Sequence, residues 1–386
     1  MLEVLEQFGP ATREWFRAAF AEPTAAQAGA WRAIGAGRNA LVVAPTGSGK
    51  TLAAFLWSLD RLAREPAPEE ARKRCRVLYV SPLKALAVDV ERNLRAPLTG
   101  IRQASGRLGV PPPDITVGMR TGDTPADERR LFARTPPDIL ITTPESLFLL
   151  LTSAARDSLR GVETVIIDEV HAVAATKRGA HLALSLERLD ALLGRPAQRV
   201  GLSATVRPID ETARFLGGSH NVEIVQPPSA KTIEVSVEVP VEDMTRLDEA
   251  PETDLDGDYT SRQTPSIWPA VEERVLDLIQ SHRSTIVFTN SRRGAERLCA
   301  RINELAAERA GVELVEPKKP PAEVMAQAGQ AGGAPPVIAR AHHGSVSREE
   351  RKQIEEALKS GRLPAVVATS SLELGIDMGA VDLVVQ

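Results

Sequence analysis

The sequence predicts an α/β fold: two parallel-sheet domains with helices on both faces of each sheet. Three observations lead there. Short β-branched runs alternate with longer helical patterns along most of the 386 residues. The runs are apolar at consecutive positions, as strands buried on both faces require. An acidic segment punctuated by proline and glycine interrupts the alternation once, and a similar rhythm resumes beyond it.

In chain order, strand-like runs fall at residues 39–44, 76–81, 138–142, 164–168 and 199–203. Helical patterns lie between them at 50–63, 83–94, 145–151 and 179–193. Residues 241–258 then hold eight acidic side chains against one basic, Arg246, with Pro251 and Gly257 among them. Such a run reads as a solvated linker at a domain boundary. The expected domains are therefore 1–240 and 269–386, joined by an acidic linker at 241–268. In the second, a helix at 271–280, a strand at 285–289 and a helix at 292–309 precede a Pro-, Ala- and Gly-rich loop at 317–336. A strand at 337–341, a helix at 348–359 and strands at 365–369 and 381–385 complete it.

Composition narrows the function classes. Hydrophobic residues make up 43% and charged residues 25%, enough for sizeable cores. Aromatics are only 4%, so the cores must rest on Ala, Val, Ile and Leu. A net charge of −4 excludes a polybasic, histone-like binder, although a positive groove can sit on a mildly acidic protein. Cys75 and Cys299 cannot build a disulfide framework or a four-cysteine zinc site. No apolar run approaches the ~18 residues of a membrane span, and the N-terminus lacks a signal-peptide pattern. The expectation is a soluble cytoplasmic protein.

The sharpest chemical signal is Ala44-Pro-Thr-Gly-Ser-Gly-Lys-Thr51, placed between an expected strand and an expected helix. That is the context of a phosphate-binding loop. Thr46, Gly47, Ser48 and Gly49 would wrap backbone N–H groups around phosphate oxygens, with the helix N-terminus adding positive potential. Lys50 would reach the β- and γ-phosphates, and the Thr51 hydroxyl would ligate Mg²⁺. Ala44 stands where the pattern has its first glycine. The second signal is Val165-Ile-Ile-Asp-Glu-Val-His171. Its apolar strand delivers Asp168 to hold Mg²⁺ and Glu169 to orient or deprotonate an attacking water. A solvated carboxylate pair is the bland alternative, and it weakens because the phosphate loop precedes it.

With Ser203-Ala-Thr205 downstream, these motifs follow the order of superfamily 2 helicases, which the chain resembles. The wording SPLKALAVDVERNL, LITTPESLFLLLTS, IIDEVHAVAATKRGAHLALSLERL and GLSATVRPIDETARFLGG is closer to one branch, the large helicase-related (Lhr) family. The resemblance spans about residues 16–386 and implies two RecA-like domains facing each other across an ATP cleft, the second incomplete. It implies that Gln27, in Phe20-Ala-Glu-Pro-Thr-Ala-Ala-Gln27, reads adenine. Ser203 and Thr205, helped by His171, would couple the nucleotide state to the nucleic-acid path. Pro82, Leu83, Lys84, Arg120, Gly122, Thr143 and Pro144 would contact nucleic acid from the first domain. In Ala368-Thr-Ser-Ser-Leu-Glu-Leu-Gly-Ile-Asp377, Thr369 and Ser370 would touch the strand, and Gly375 and Asp377 the nucleotide. The implied activity is ATP- and Mg²⁺-dependent 3′-to-5′ movement on single-stranded DNA or RNA with duplex unwinding, RNA–DNA hybrid being a further candidate substrate.

Taken singly, several of these segments have bland readings. Thr-Thr-Pro-Glu is an ordinary helix start, and Ser345 or Ser347 reads equally as an N-cap. In such helicases an arginine-bearing segment follows the one at 368–377, and none is found here, so the resemblance leads us to expect a C-terminally truncated chain. Loss of an arginine finger costs about 10³–10⁵ in rate, so weak hydrolysis is the matching expectation. A duplex translocase that does not unwind, and a catalytically silent nucleic-acid-binding module, are the rival readings.

Overall fold

A computed structural model of the chain describes residues 2–45, 47–82, 84–204, 206–228, 234–241, 267–311, 337–369 and 381–386. The chain divides into two compact units, Met1–Thr232 and Ile233–Gln386. The expected linker over 242–266 and the loop over 317–336 lie outside the described residues.

In the first unit, β1 (Asn39–Val43), β2 (Val77–Val80), β3 (Val117–Arg120), β4 (Ile139–Thr142), β5 (Thr164–Ile167), β6 (Gln198–Ser203) and β7 (Val222–Val225) form one sheet. Its order is β3-β4-β2-β5-β6-β1-β7, with every pairing parallel. Helices α1 (Pro10–Ala19), α2 (Ala25–Gly35), α3 (Lys50–Arg64) and α4 (Lys84–Arg107) contribute to one core. That core takes Ala40, Val42, Val77, Tyr79, Ile139, Ile141, Ile166, Val200 and Leu202 from the strands. Helices α5 (Ala126–Arg134), α6 (Pro144–Leu151), α7 (Val170–Ala174), α8 (Lys177–Leu193) and α9 (Ile209–Gly217) contribute to the other. This second core takes the intervening Leu41, Val43, Leu78, Val80, Leu140, Val165 and Ile167. Successive side chains point to opposite faces and both faces are buried, so the runs had to be continuously apolar.

Two edge strands escape a reading based on apolar runs. In β3, Val117, Gly118 and Arg120 are only half-buried and Met119 is exposed. In β7, Val225 alone is buried. Helix α4 also runs past the expected end at 94, through Pro97, to Arg107. An interior proline costs about 3 kcal/mol, but Leu94, Ile101 and Ala104 beyond or beside it are buried. At roughly 1.5–3 kcal/mol for each fully buried large aliphatic side chain, the packed face outweighs the lost hydrogen bond.

In the second unit, β8 (Thr285–Phe288), β9 (Ala339–His342), β10 (Ala365–Ala368) and β11 (Leu383–Val385) form a parallel sheet ordered β11-β8-β10-β9. Helices α10 (Trp268–Ser281) and α11 (Arg292–Arg309) pack with Val287, Ala341 and Val367. Helix α12 (Arg348–Lys359) packs with Ile286, Val366 and Ala368 on the other side. Among the described residues, no helix is long and apolar enough to cross a membrane.

Buried Asp138, just before β4, ties the strand starts together. Its Oδ2 accepts from Thr116 N (2.8 Å), Thr116 Oγ1 (2.7 Å) and Arg74 Nε (3.0 Å). We expect Asp138→Ala to lower unfolding free energy by about 3 kcal/mol, because it leaves these donors without their shared acceptor. Urea denaturation followed by far-UV circular dichroism measures this.

Candidate active site

In a parallel sheet every strand ends on the same rim, and that is where ligands bind. Strand order divides the rim into two parts. The phosphate loop follows β1, Asp168 and Glu169 follow β5, and Ser203 ends β6, so these motifs share three adjacent strands, β5-β6-β1. The segments after β2, β4 and β3 carry Pro82, Thr143 and Gly122, and they occupy the neighbouring three positions.

The loop after β1 is held from two sides. Gly47 and Gly49 adopt φ of 79° and 78°, in the left-handed region, and Gly49 precedes the first turn of α3. A Cβ on Gly49 would lie 2.4 Å from Gln27 Nε2. Thr24 caps α2 in a reciprocal box with Gln27: Gln27 N donates to Thr24 Oγ1 (3.2 Å) and Thr24 N donates to Gln27 Oε1 (3.0 Å). The same two side chains reach the loop, Thr24 Oγ1 donating to the Ser48 carbonyl (3.0 Å) and Gln27 Nε2 to the Gly49 carbonyl (3.4 Å). Thus Gln27 stands directly beside the phosphate loop. Lys50 is buried, its Nζ donating to the carbonyls of Ala44 (2.5 Å) and Pro45 (2.9 Å).

Facing electrostatically coupled acids complete the arrangement. Asp168 is 7% exposed. Its Oδ1 accepts from the Glu169 N–H (2.9 Å), and its Oδ2 accepts from the buried Tyr79 hydroxyl. Glu169 has φ of 44°, the left-handed region that costs a non-glycine residue about 1–3 kcal/mol. Burial raises the Asp168 carboxyl above its ordinary range, opposed mainly by the Tyr79 hydrogen bond. Burial, and then the Asp168 charge, pushes Glu169 up to about 7, while Lys50 pulls it back. Burial lowers Lys50, against the attraction of Glu169 and Asp168. Burial beside Asp168 holds the Tyr79 phenol well above its ordinary value, so it stays a donor.

His171 links this acid pair to β6. The Ala204 N–H donates to His171 Nδ1 (3.3 Å), and Ser203 Oγ lies 3.1 Å from the same nitrogen. Nε2 faces Glu169 Oε2 at 3.4 Å. Burial, and then Lys50, lowers the imidazole pKa. A neutral ring with its proton on Nε2 satisfies all of these contacts.

These residues fit a magnesium–nucleoside triphosphate. Ser48 Oγ is buried without a hydrogen-bond partner inside a glycine-shaped cradle at a helix N-terminus. Thr51 and Asp168 supply oxygen ligands of the kind a hard cation takes.

On the other half of the rim, Thr143 N-caps α6, accepting from Ser146 N (3.4 Å), with Pro144 as the first helical residue. Arg178 joins two segments, donating to the Pro82 carbonyl (2.9 Å) and to Glu145 Oε1 (2.6 Å). The Arg120 guanidinium stacks 5.5 Å from the Phe132 ring centroid, and the Arg120 carbonyl accepts from Thr142 Oγ1 (2.7 Å). The Gly122 carbonyl accepts from Arg129 Nη2 (2.8 Å). Lys84 opens α4. Thr24, Tyr79 and Arg178 were missed as site residues by sequence reasoning. Only Thr24 carried a signal, the Thr-x-x-Gln capping pattern.

In the second unit, Thr369 follows β10 and its N–H donates to the His342 carbonyl (3.2 Å). Ser347 caps α12 through Glu350 N (3.2 Å), whereas Ser345 Oγ accepts from Arg292 (3.0 Å). Thr46, Leu83, Thr205, Ser370, Gly375 and Asp377 lie outside the described residues.

The family model for DEAD/DEAH box helicases matches residues 24–212, and that for the helicase conserved C-terminal domain matches 270–386. A Mycolicibacterium smegmatis protein named Lhr helicase/probable uracil glycosylase is 64% identical over 99% of this chain. The Escherichia coli Lhr helicase/uracil glycosylase is 55% identical over 98% of it. The chain spans 25% of the length of each of these relatives. A solved structure, the Mycobacterium smegmatis helicase Lhr bound to ssDNA and AMP-PNP, is similar with a TM-score of 0.76 and 62% identity. That match covers 99% of this chain and 44% of the solved one.

Gly49→Ala should cost about 1–3 kcal/mol of stability, because the left-handed φ and the Gln27 side chain both oppose a Cβ. Urea denaturation reads the loss, and Gly106→Ala, with nothing within 4 Å of the added carbon, serves as the control.

Proposed function

Because the chain belongs to the Lhr family of superfamily 2 helicases, we propose that it carries the motor of an ATP-driven 3′-to-5′ nucleic-acid translocase that unwinds duplexes. The observation that carries this reading is the convergence of buried Lys50, buried Asp168 and half-buried Glu169, from the segments after β1 and β5, into one mutually coupled cluster beside Gln27. The motor lobes are 1–240 and 269–386, joined by the acidic linker 241–268.

The phosphate and metal roles rest on chemistry, and the adenine, coupling and strand roles on the family resemblance. Gln27 hydrogen-bonds adenine. Thr46, Gly47, Ser48, Gly49 and Lys50 cradle phosphates, with Lys50 offsetting charge that develops on them. Thr51 and Asp168 would hold Mg²⁺, which neutralises phosphate charge when bound. Glu169 orients the attacking water and takes its proton, a task suited to a carboxylate raised to about 7. His171, whose Nε2 faces Glu169 at 3.4 Å and whose Nδ1 lies in hydrogen-bond contact with Ser203, connects Glu169 to β6, and with Thr205 these residues pass the nucleotide state onward. Pro82, Lys84, Arg120, Gly122, Thr143 and Pro144, with Thr369 and Ser370, contact the strand. Gly375 and Asp377 are assigned to the nucleotide by the family resemblance alone.

The partner is single-stranded DNA or RNA, with RNA–DNA hybrid as a further duplex substrate. The solved Lhr relative bound to ssDNA and AMP-PNP supports both a strand and a nucleotide here. Backbone contacts position a strand without reading its sequence, so no sequence preference is expected.

Hydrolysis by the 386-residue chain alone should be weak; in the complete protein, Glu169→Gln should leave ATP affinity within about threefold and lower strand-stimulated turnover by about 10²–10⁴. Lys50→Ala should remove nucleotide binding and strand displacement together. Calorimetry with AMP-PNP, a coupled ATPase assay and fluorescent strand displacement measure these, and unwinding retained by either variant would overturn the proposal.

A further inference from the structure

Strand β2 lies beside β5, with Tyr79 opposite Ile166. Asp168 is two residues beyond Ile166, so by the period-two alternation it projects to the same face as Tyr79. Diagonal neighbours of this kind are within reach of an aromatic side chain. The reach is used: the Tyr79 hydroxyl donates to Asp168 Oδ2, while Oδ1 takes the Glu169 N–H at 2.9 Å. Both carboxylate oxygens are therefore oriented by a donor, and each keeps a lone pair for another ligand.

The tyrosine is itself held rigidly. Its side chain is fully buried. Its ring stacks on Phe55 of α3, the helix that begins with Lys50, with centroids 4.8 Å apart and planes at 25°. Phenylalanine would fill the ring's space equally well, and the buried hydroxyl finds its acceptor in Asp168.

We propose that Tyr79 is a positioning residue that holds the Asp168 carboxylate in the orientation that receives Mg²⁺ with the nucleotide. The inference rests on the assignment of Asp168 as the Mg²⁺ residue and extends it to a residue outside the helicase motifs. A hydrogen bond to a charged acceptor that orients a ligand is worth more than a neutral one. Its loss should fall on the metal-dependent part of nucleotide binding, whereas a packing role would affect every condition alike.

The test is calorimetric titration of the chain with AMP-PNP, in Mg²⁺ and in EDTA, for the wild type, Tyr79→Phe, Asp168→Asn and the double variant. Tyr79→Phe should weaken binding in Mg²⁺ about tenfold, leave binding in EDTA unchanged, and recover as Mg²⁺ is raised. In the Asp168→Asn background the second substitution should add nothing. Equal weakening in Mg²⁺ and EDTA, or no change in Mg²⁺, overturns the role of Tyr79 alone. Wild-type binding that ignores Mg²⁺ instead overturns the assignment of Asp168, and the inference with it.

Discussion

A buried ammonium, a buried carboxylate and a half-buried one share one field at the centre of the candidate site. Lys50, Asp168 and Glu169 are removed from water to different degrees, and burial is the largest influence on each. Such charges persist only where opposite charge and hydrogen bonds compensate for lost hydration. The surrounding structure provides that compensation at named atoms. Loop carbonyls take the lysine's protons, the Tyr79 hydroxyl and the Glu169 N–H take the Asp168 oxygens, and Lys50 tempers Glu169.

Strand order accounts for the proximity of these groups and for the division of labour around them. With β5, β6 and β1 adjacent, segments separated by more than a hundred residues meet at one rim. The placement of β2, β4 and β3 beyond β5 puts the segments assigned to the strand beside those assigned to the nucleotide. Tyr79 belongs to β2 yet hydrogen-bonds an acid on the β5 side, and Arg178 of α8 bridges Pro82 and Glu145. The Tyr79 bond thus links the two halves of the rim, whereas Arg178 ties together the segments after β2 and β4 within one of them. His171 makes the equivalent connection toward β6.

Legibility in the sequence followed burial and locality. The central strands β1, β2, β4, β5 and β6 were visible because burial on both faces demands unbroken apolar runs. Edge strands β3 and β7 carry half-buried residues and so lost that signal. Helix α4 extends past its expected end at 94 because packing against α1 and the sheet overrides the local stop signal of Pro97. The phosphate-loop pattern and the acid pair stand out in the sequence because each is compressed into a few consecutive residues, whereas Gln27 is singled out only by the family resemblance. Tyr79 was not, because its partner lies 89 positions away and an apolar strand reads the same with tyrosine or phenylalanine.

By itself the sequence determined the α/β class, the family whose motif order it follows, and the residues proposed here to bind phosphate and activate water. Each of these depends on local pattern: periodicity, turn chemistry, and functional groups close together along the chain. Only the tertiary structure decided which strand neighbours which, that Gln27 and Thr24 brace the phosphate loop, and that both oxygens of Asp168 are held by donors. Those facts depend on strand register and on contacts between residues distant along the chain, and no spacing within one segment encodes them.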